Sequence, residues 1–386
     1  MGIVLSKEQA MIQKSAREFA RKDLAEKAMQ RDQNEEYPAD SLKQMGELGM
    51  LGMLVPEKFG GEEMDTVSYA LTLAEIAAGC ASTAVIVSVH NSICCGSLVR
   101  FGTQEQQDQF LRPMAAGEII GSFAMSEPEA GSDPASMTTT ATRQGDYYYL
   151  NGTKRWITGG ATSGVFIVLA KTDPEAGHKG ISAFLVTPDM PGFKVGRKED
   201  KMGLRASDTT DIIFDNCQVP VDKLLGPEGE GFKVAMSGLD DGRIGIASQG
   251  LGVGRAALEH SVQYAKQRVQ FGQPLSENQG LRWMLADMAT DVEAAQGLIL
   301  NAAVKKDQGQ QCSKEASMAK LYSTEMANRV TGQAVQIHGG YGYTKEFPVE
   351  RLYRDARVFT IYEGTSQIQK IVIANEVLAD RKKKKK

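Results

Sequence analysis

Between Ser6 and about Glu118 the apolar positions repeat every three to four residues, with Ile12, Ala16, Phe19, Ala20 and Leu24 on one helical face. Ser6 and Gln9 form a capping box that starts this helix. Pro38, Ala39 and Asp40 introduce a short helix, and Asp65 opens a longer stretch of small residues through Ala70, Leu73 and Ile76. Thr103 with Gln106 caps another, which Pro113 is expected to end. Near Ile119 the period shortens. Runs rich in β-branched and aromatic residues occur at 147–150, 165–169, 183–186 and 211–214, each bounded by Gly, Asp, Asn or Pro. Gly226, Pro227, Gly229 and Gly231 mark the exit, and helical spacing resumes from Phe232 almost to the end.

A chain of 386 residues exceeds what one hydrophobic core organises. Blocks of helices, strands and helices predict an α+β multi-domain protein, not a doubly wound sheet. The expected units are an N-terminal α-helical domain over 1–118, a middle antiparallel β domain over 119–231 and a C-terminal α domain over 232–386. The glycine cluster GLGVG at 250–254 looks like a dinucleotide fingerprint, but it follows helical sequence where that cradle needs a strand. Close helix packing is the better reading.

The hydrophobic share of 42% and charged share of 24% are those of an ordinary globular protein, and no stretch is expected to approach the roughly 20 apolar residues of a membrane span. The net charge is −4, yet six basic residues form the tail from Arg381 to Lys386; without them 38 basic residues face 48 acidic ones. That body argues against nucleic acid as a partner. The tail reads as a solvated end. Met1, Gly2 and Ser6 match a loose myristoylation pattern, but Ser6 has a better use as the helix cap. Cys80, Cys94, Cys95, Cys217 and Cys312 are odd in number, without metal-type spacing, and fit buried thiols in a reducing compartment. His90, His178, His260 and His338 lie far apart with no HExxH context, so no metal site is expected.

Six motifs stand out: FAMSEP at 123–128, running on to Gly131, Ser132 and Asp133; NGTK at 151–154 with Trp156, Ile157 and Thr158; RVQFG at 268–272; QIHGG at 336–340 with Gly342; RDA at 354–356; and IYEGTS at 361–366. Taken singly each has a plain reading. Trp156 is a core aromatic, Arg268 a dipole-favoured cation at a helix C-terminus, and Glu363 a solvated acid before the final helix, which Ser366 and Gln369 are expected to cap. Together they resemble the acyl-CoA dehydrogenase family from Leu5 to Leu378, and within it the short-chain, butyryl-CoA branch.

That resemblance implies a barrel-like β domain, a C-terminal four-helix bundle, and FAD as cofactor. Phe123, Met125, Ser126, Ser132, Trp156, Ile157 and Thr158 would line the flavin ring, with Met125 and Ser126 on a strand. Arg268 would reach the FAD pyrophosphate of a neighbouring subunit, with Gln336, Gly339 and Gly340 at that same phosphate, Phe271 and Gln279 also binding the cofactor, and Thr365 and Gln367 near the adenine. Glycines suit that role because they let amides approach an anion. A cofactor shared between chains implies an obligate oligomer, and the resemblance implies a homotetramer.

Desaturating an acyl thioester needs a base, a polarised carbonyl and an electron sink. The resemblance makes Glu363 the base and sets the carbonyl between its backbone amide and a flavin ribityl hydroxyl, with Ser132, Asp240, Arg243, Gln249, Tyr362 and Gly364 around the substrate. Related branches take the base from the slot occupied here by Gly242, which cannot act; Asp241 should point elsewhere. Asp240 and Arg243 could equally form an internal ion pair. Gln249 would floor the acyl cavity early and limit the substrate to about four to six carbons, since a buried methylene is worth ~0.8 kcal/mol only where it has room. The expected acceptor is electron transfer flavoprotein, and the expected compartment the cytoplasm of a bacterium or the mitochondrial matrix. Alternatives are a short branched-chain dehydrogenase, an acyl-CoA oxidase, and a silent acyl-CoA-binding protein.

Overall fold

Both capping boxes form. Gln9 N–H donates to Ser6 Oγ at 3.1 Å and Ser6 N–H to Gln9 Oε1 at 2.9 Å, while Thr103 and Gln106 make the same exchange. The computed structural model describes residues 4–379, so the pattern at Met1 and Gly2 and the tail from Arg381 to Lys386 lie outside the described residues. The first helix, Lys7–Phe19, passes through a π-helical turn at Ala20–Ala25 into Glu26–Asn34.

Pro113 does not end its helix. A π-helical turn at Gln107–Leu111 precedes Arg112–Ala115, and Pro113 sits within that last segment. The widened turn already disturbs the amide ladder where proline brings no donor, and the stop comes at Gly117 with its φ of 75°. A second correction concerns apolar length. Ala81–Phe101 is a continuous helix of 21 residues with a mean hydropathy of 1.4, long and apolar enough to cross a membrane, but 89% of its apolar window is buried in the protein. All five cysteines are buried, Cys94 and Cys95 within this helix.

Seven strands make one curled sheet: β1 (Gly121–Ala124), β2 (Thr140–Gln144), β3 (Tyr147–Thr158), β4 (Val165–Lys171), β5 (Ile181–Val186), β6 (Phe193–Lys198) and β7 (Thr209–Pro220). Their order is β1-β4-β2-β3-β7-β6, with β5 added on β4. The expectation of a purely antiparallel sheet fails at two joints, since β1 and β2 each run parallel to β4. A parallel pair needs a long crossover, and the β2–β3 hairpin supplies it. β4 is buried along nearly its whole length, which explains its unbroken apolar run.

By compactness the chain forms two units, one of residues up to 29, 66–81 and from 243 onward, the other of residues 30–65 and 82–242. The first contains the long helices Leu239–Gln267 from Arg243 on, Gln279–Asp307 and Ser313–His338, and the final helix Ser366–Leu378. Thr66–Gly79 belongs to it through the distant Asp307 and through its own Glu75. Asp307 accepts from the amides of Thr66 and Val67 at 2.7 and 3.3 Å, capping the helix from across the sequence. Buried Glu75 takes Gln13 at 2.8 Å and Arg17 at 2.9 Å from the first helix and Arg255 at 2.7 Å from Leu239–Gln267, so that, with its own, three helices meet at one carboxylate.

The GLGVG cluster is close helix packing, as expected. A Cβ on Gly252 would strike the Ala74 carbonyl; one on Gly250 would stand 2.9 Å from the Ser323 carbonyl oxygen and one on Gly254 2.7 Å from Met326 Sδ. Gly252→Ala should therefore lower stability by about 1–3 kcal/mol, the usual range for overpacking, in urea unfolding followed by circular dichroism. Wild-type stability would show that the helices separate freely.

Candidate active site

The final helix begins one residue earlier than the sequence suggested. Thr365 is the N-cap, its Oγ1 accepting from the Ile368 amide at 3.3 Å. Ser366 instead donates to Glu325 at 2.7 Å, and Gln369 Nε2 turns back to the carbonyls of Glu363 and Gly364 at 3.2 and 3.1 Å. The cap moves because Glu363 and Gly364 both take left-handed φ values, 52° and 86°, so the chain enters the helix through a tight bend. Such a conformation at a non-glycine residue is held by its surroundings.

Lys320, buried on Ser313–His338, donates its Nζ to the Gly364 carbonyl at 2.6 Å. Burial pushes its ammonium down to about 8, against the pull of Glu363. Burial raises the Glu363 carboxyl above its ordinary value, and the charges of Lys320 and then Arg243 hold it partly down. Tyr362 OH donates to Gln249 Oε1 at 2.5 Å, and Gln249 Nε2 donates to the Ala81 carbonyl at 2.7 Å. The Phe359 ring lies nearly parallel to that of Tyr362. Arg243, Gln249, Tyr362, Glu363 and Gly364 therefore share one neighbourhood. Asp240 is half-buried, while buried Asp241 pairs with Arg100 at 3.2 Å.

A second group in the same unit surrounds the end of Ser313–His338. Arg268 follows the Leu239–Gln267 helix and sets its guanidinium over Tyr341, 5.4 Å from the ring centre. The two-stranded hairpin Val269–Gln270 and Gln273–Pro274 turns through Phe271 and Gly272, both left-handed, which exposes the Phe271 side chain fully. Gln279, first residue of its helix, is exposed, as are Gln336 and Gln367. Gly339 has a φ of 59°, and no atom lies within 4 Å of a Cβ built on Gly339 or Gly340. Tyr341 brings Arg268 to this open turn.

In the other unit, β1 ends at Ala124, so Met125 and Ser126 lie just past the strand and not on it as expected. There they serve as backbone acceptors. Ser126 takes the Arg155 amide at 2.8 Å, and Met125 takes Lys154 Nζ at 3.1 Å. Lys154 also reaches Glu127 at 2.7 Å, and Glu127 accepts from the amides of Thr138 and Thr139 at 2.6 and 3.1 Å. Trp156 stands in a break of the β3–β7 register with a φ of 58° and is 53% exposed, under the Arg155 guanidinium. That corrects its single-residue reading as a core aromatic. Ile157 is buried, Phe123 and Thr158 half-buried, and Ser132 exposed; the Thr158 carbonyl accepts from Ser122 Oγ at 2.5 Å.

Glu127 and Lys154 stand in separate sequence motifs without a role there, Gln369 is expected only as a cap partner, and Lys320 lies in none of the motifs. Lys320 had a signal: with Ala316, Ser323 and Ala327 it continues a small, buried helix face where a lysine is out of place.

Three family descriptions match the chain: Acyl-CoA dehydrogenase, N-terminal domain at 6–118, middle domain at 122–217 and C-terminal domain at 229–378. The chain belongs to the acyl-CoA dehydrogenase family. The mitochondrial short-chain specific acyl-CoA dehydrogenase of Bos taurus is 49% identical over 95% of this chain and 89% of its own, and an acyl-CoA dehydrogenase of Bacillus subtilis 48% over 97% and 99%. Acryloyl-CoA reductase (NADH) of Anaerotignum propionicum is 44% identical over 98% and 96%. Among solved structures, butyryl-CoA dehydrogenase from Megasphaera elsdenii superposes with a TM-score of 0.96 at 42% identity, covering 98% of this chain and all of that one. A chain from work on the electron transferring flavoprotein of Acidaminococcus fermentans gives 0.97 at 44%, with the same coverage. This acyl-CoA dehydrogenase is thus an oxidoreductase with the family's helical, β and helical domains.

The buried Glu127–Lys154 pair makes acid stability testable. Burial alone would raise the Glu127 carboxyl, but Lys154 and the Thr138 amide hold it down at about 2, below its ordinary 4.5. A depressed folded value contributes stability above about 4.5 that is lost as pH falls toward 2. Glu127→Gln should flatten the fall of the thermal midpoint across that window in scanning calorimetry; parallel curves for variant and wild type would exclude the pair as its source.

Proposed function

We propose that this protein catalyses FAD-dependent α,β-desaturation of a short-chain acyl-CoA to the trans-2-enoyl-CoA, with Glu363 as the base. The carrying observation is the Glu363 carboxyl, held in a left-handed bend, raised by burial, and flanked by Lys320 and Arg243. A carboxylate raised toward working pH takes a weakly acidic proton better than a solvated one.

The residues fit a flavin dinucleotide. Trp156 offers a flat exposed surface for a ring, and we assign Phe123, Met125, Ser126, Ser132, Ile157 and Thr158 to the same flavin. The open turn at Gly339 and Gly340, with Arg268 over Tyr341 of the same turn, is a donor set suited to a pyrophosphate, Gln336 serves the same phosphate, and Phe271 and Gln279 also bind the cofactor. Thr365 and Gln367 take the adenine side. When bound, FAD supplies the acceptor for the hydride leaving the β carbon. Glu363 receives the α proton, and its backbone amide holds the thioester carbonyl, where one such donor is worth ~3 kcal/mol. Asp240, Arg243, Tyr362 and Gly364 position the substrate.

Gln249 limits the acyl chain to about four to six carbons, because its amide is fixed at both ends by Ala81 and Tyr362 and cannot swing aside. We assign electron transfer flavoprotein as acceptor and a homotetramer as the working form, in bacterial cytoplasm or mitochondrial matrix. The relative named as an acryloyl-CoA reductase favours one second reading, the reverse reaction on a short enoyl-CoA.

Glu363→Gln should keep yellow FAD yet bleach with butyryl-CoA under anaerobic conditions at least ~100-fold more slowly, the lower range for a positioned base. Near-normal bleaching would move the base elsewhere. Gln249→Gly, checked for retained flavin, should shift the preference toward longer chains across a panel of acyl-CoA thioesters; an unchanged preference removes Gln249 as the floor.

A further inference from the structure

The bend that carries Glu363 is gripped from the helix behind it. Lys320 is fully buried among Ala316, Ser317, Ala319, Ser323 and Thr324, so its ammonium has been taken out of water. A buried cation persists only where its partners repay desolvation. Its one short bond goes to the Gly364 carbonyl, at 2.6 Å, the oxygen that Gln369 also contacts. The charged groups acting on it are Glu363 from the bend, Arg243 from Leu239–Gln267, and Glu325 from its own helix, which is engaged with Ser366. Those acting on Glu363 are Lys320 and Arg243. Tyr362 feels Glu363 and Asp355, with its hydroxyl bound to Gln249.

We infer that Lys320 is a positioning residue for the base: it fastens the left-handed Glu363–Gly364 bend through the Gly364 carbonyl, and so sets a positive charge next to the bend that favours the charged form of the Glu363 carboxyl. The two parts are separable. A neutral donor of similar length preserves the grip and loses the charge, while a methylene chain loses both. Arg243 alone cannot replace the charge, because burial of Glu363 already outweighs both cations. The inference rests on Glu363 acting as the base.

Lys320→Gln and Lys320→Met are compared with wild-type holoenzyme by the pH dependence of kcat/KM and of kcat with butyryl-CoA, after flavin content is matched. Both variants should move the acid limb upward by about one pH unit or more, a tenfold loss at the wild-type midpoint, with kcat of Lys320→Gln, which keeps the grip, recovering toward wild type at high pH. Lys320→Met should also lose thermal stability that Lys320→Gln retains. An acid limb unmoved in both, or a fall in kcat of Lys320→Gln equal at every pH, overturns the inference.

A cycle of Lys320→Met, Glu363→Gln and the double variant, read by urea unfolding and so independent of turnover, separates this result from the function itself. Non-additivity is expected, because the two charges interact. Additive effects with an unmoved acid limb, while Glu363→Gln is inactive, would defeat the Lys320 role and leave the base intact. An active Glu363→Gln would defeat the assignment of the base whatever the cycle gives.

Discussion

A two-residue bend in the left-handed region, Glu363 followed by Gly364, is the constraint on which the site depends. An L-residue avoids that conformation, so the bend persists only because its carbonyls are held by Lys320 and Gln369 while Tyr362 on the other side is tied to Gln249. The arrangement turns a carboxylate beside a helix start, ordinarily solvated and stabilised by the dipole, into one that burial makes reluctant to ionise. Two cations then oppose that reluctance. The balance between desolvation and charge sets what this acid can do.

The same device recurs in other motifs. Trp156 stands left-handed in a register break of β3, and Phe271 left-handed in a hairpin turn, and in both cases an aromatic side chain is carried outward instead of into the core. Strained backbone presenting an exposed apolar group is costly unless something is recognised there. Around each, the scaffold is rigid for ordinary reasons: the Glu127–Lys154 pair fixes the backbone after β1, and Glu75 binds three helices to one carboxylate.

Much of the fold was legible in sequence because it is local. The capping boxes at Ser6 and Thr103, the strand runs, and the helical return near Phe232 all depend on neighbours within a few residues. The misreadings share a cause. Pro113 and the cap at Thr365 went wrong because a π turn and a left-handed bend shift the hydrogen-bond register, which residue type does not announce. The parallel joints of β4 went wrong because strand direction is set by a crossover, not by the strand itself.

By itself the sequence determined the helix-strand-helix plan and, through six separated motifs, the family to which the chain belongs, since both are written in residue types at fixed spacing. It also marked Glu363 as the acid to examine. Tertiary structure alone decided that Lys320 grips the bend, that Gln249 spans from Ala81 to Tyr362, and that Asp307 caps a helix far from it in the chain. Those contacts join residues dozens to hundreds of positions apart. A buried charge or amide finds its partner only when the core closes around it, and no local pattern records which group that will be.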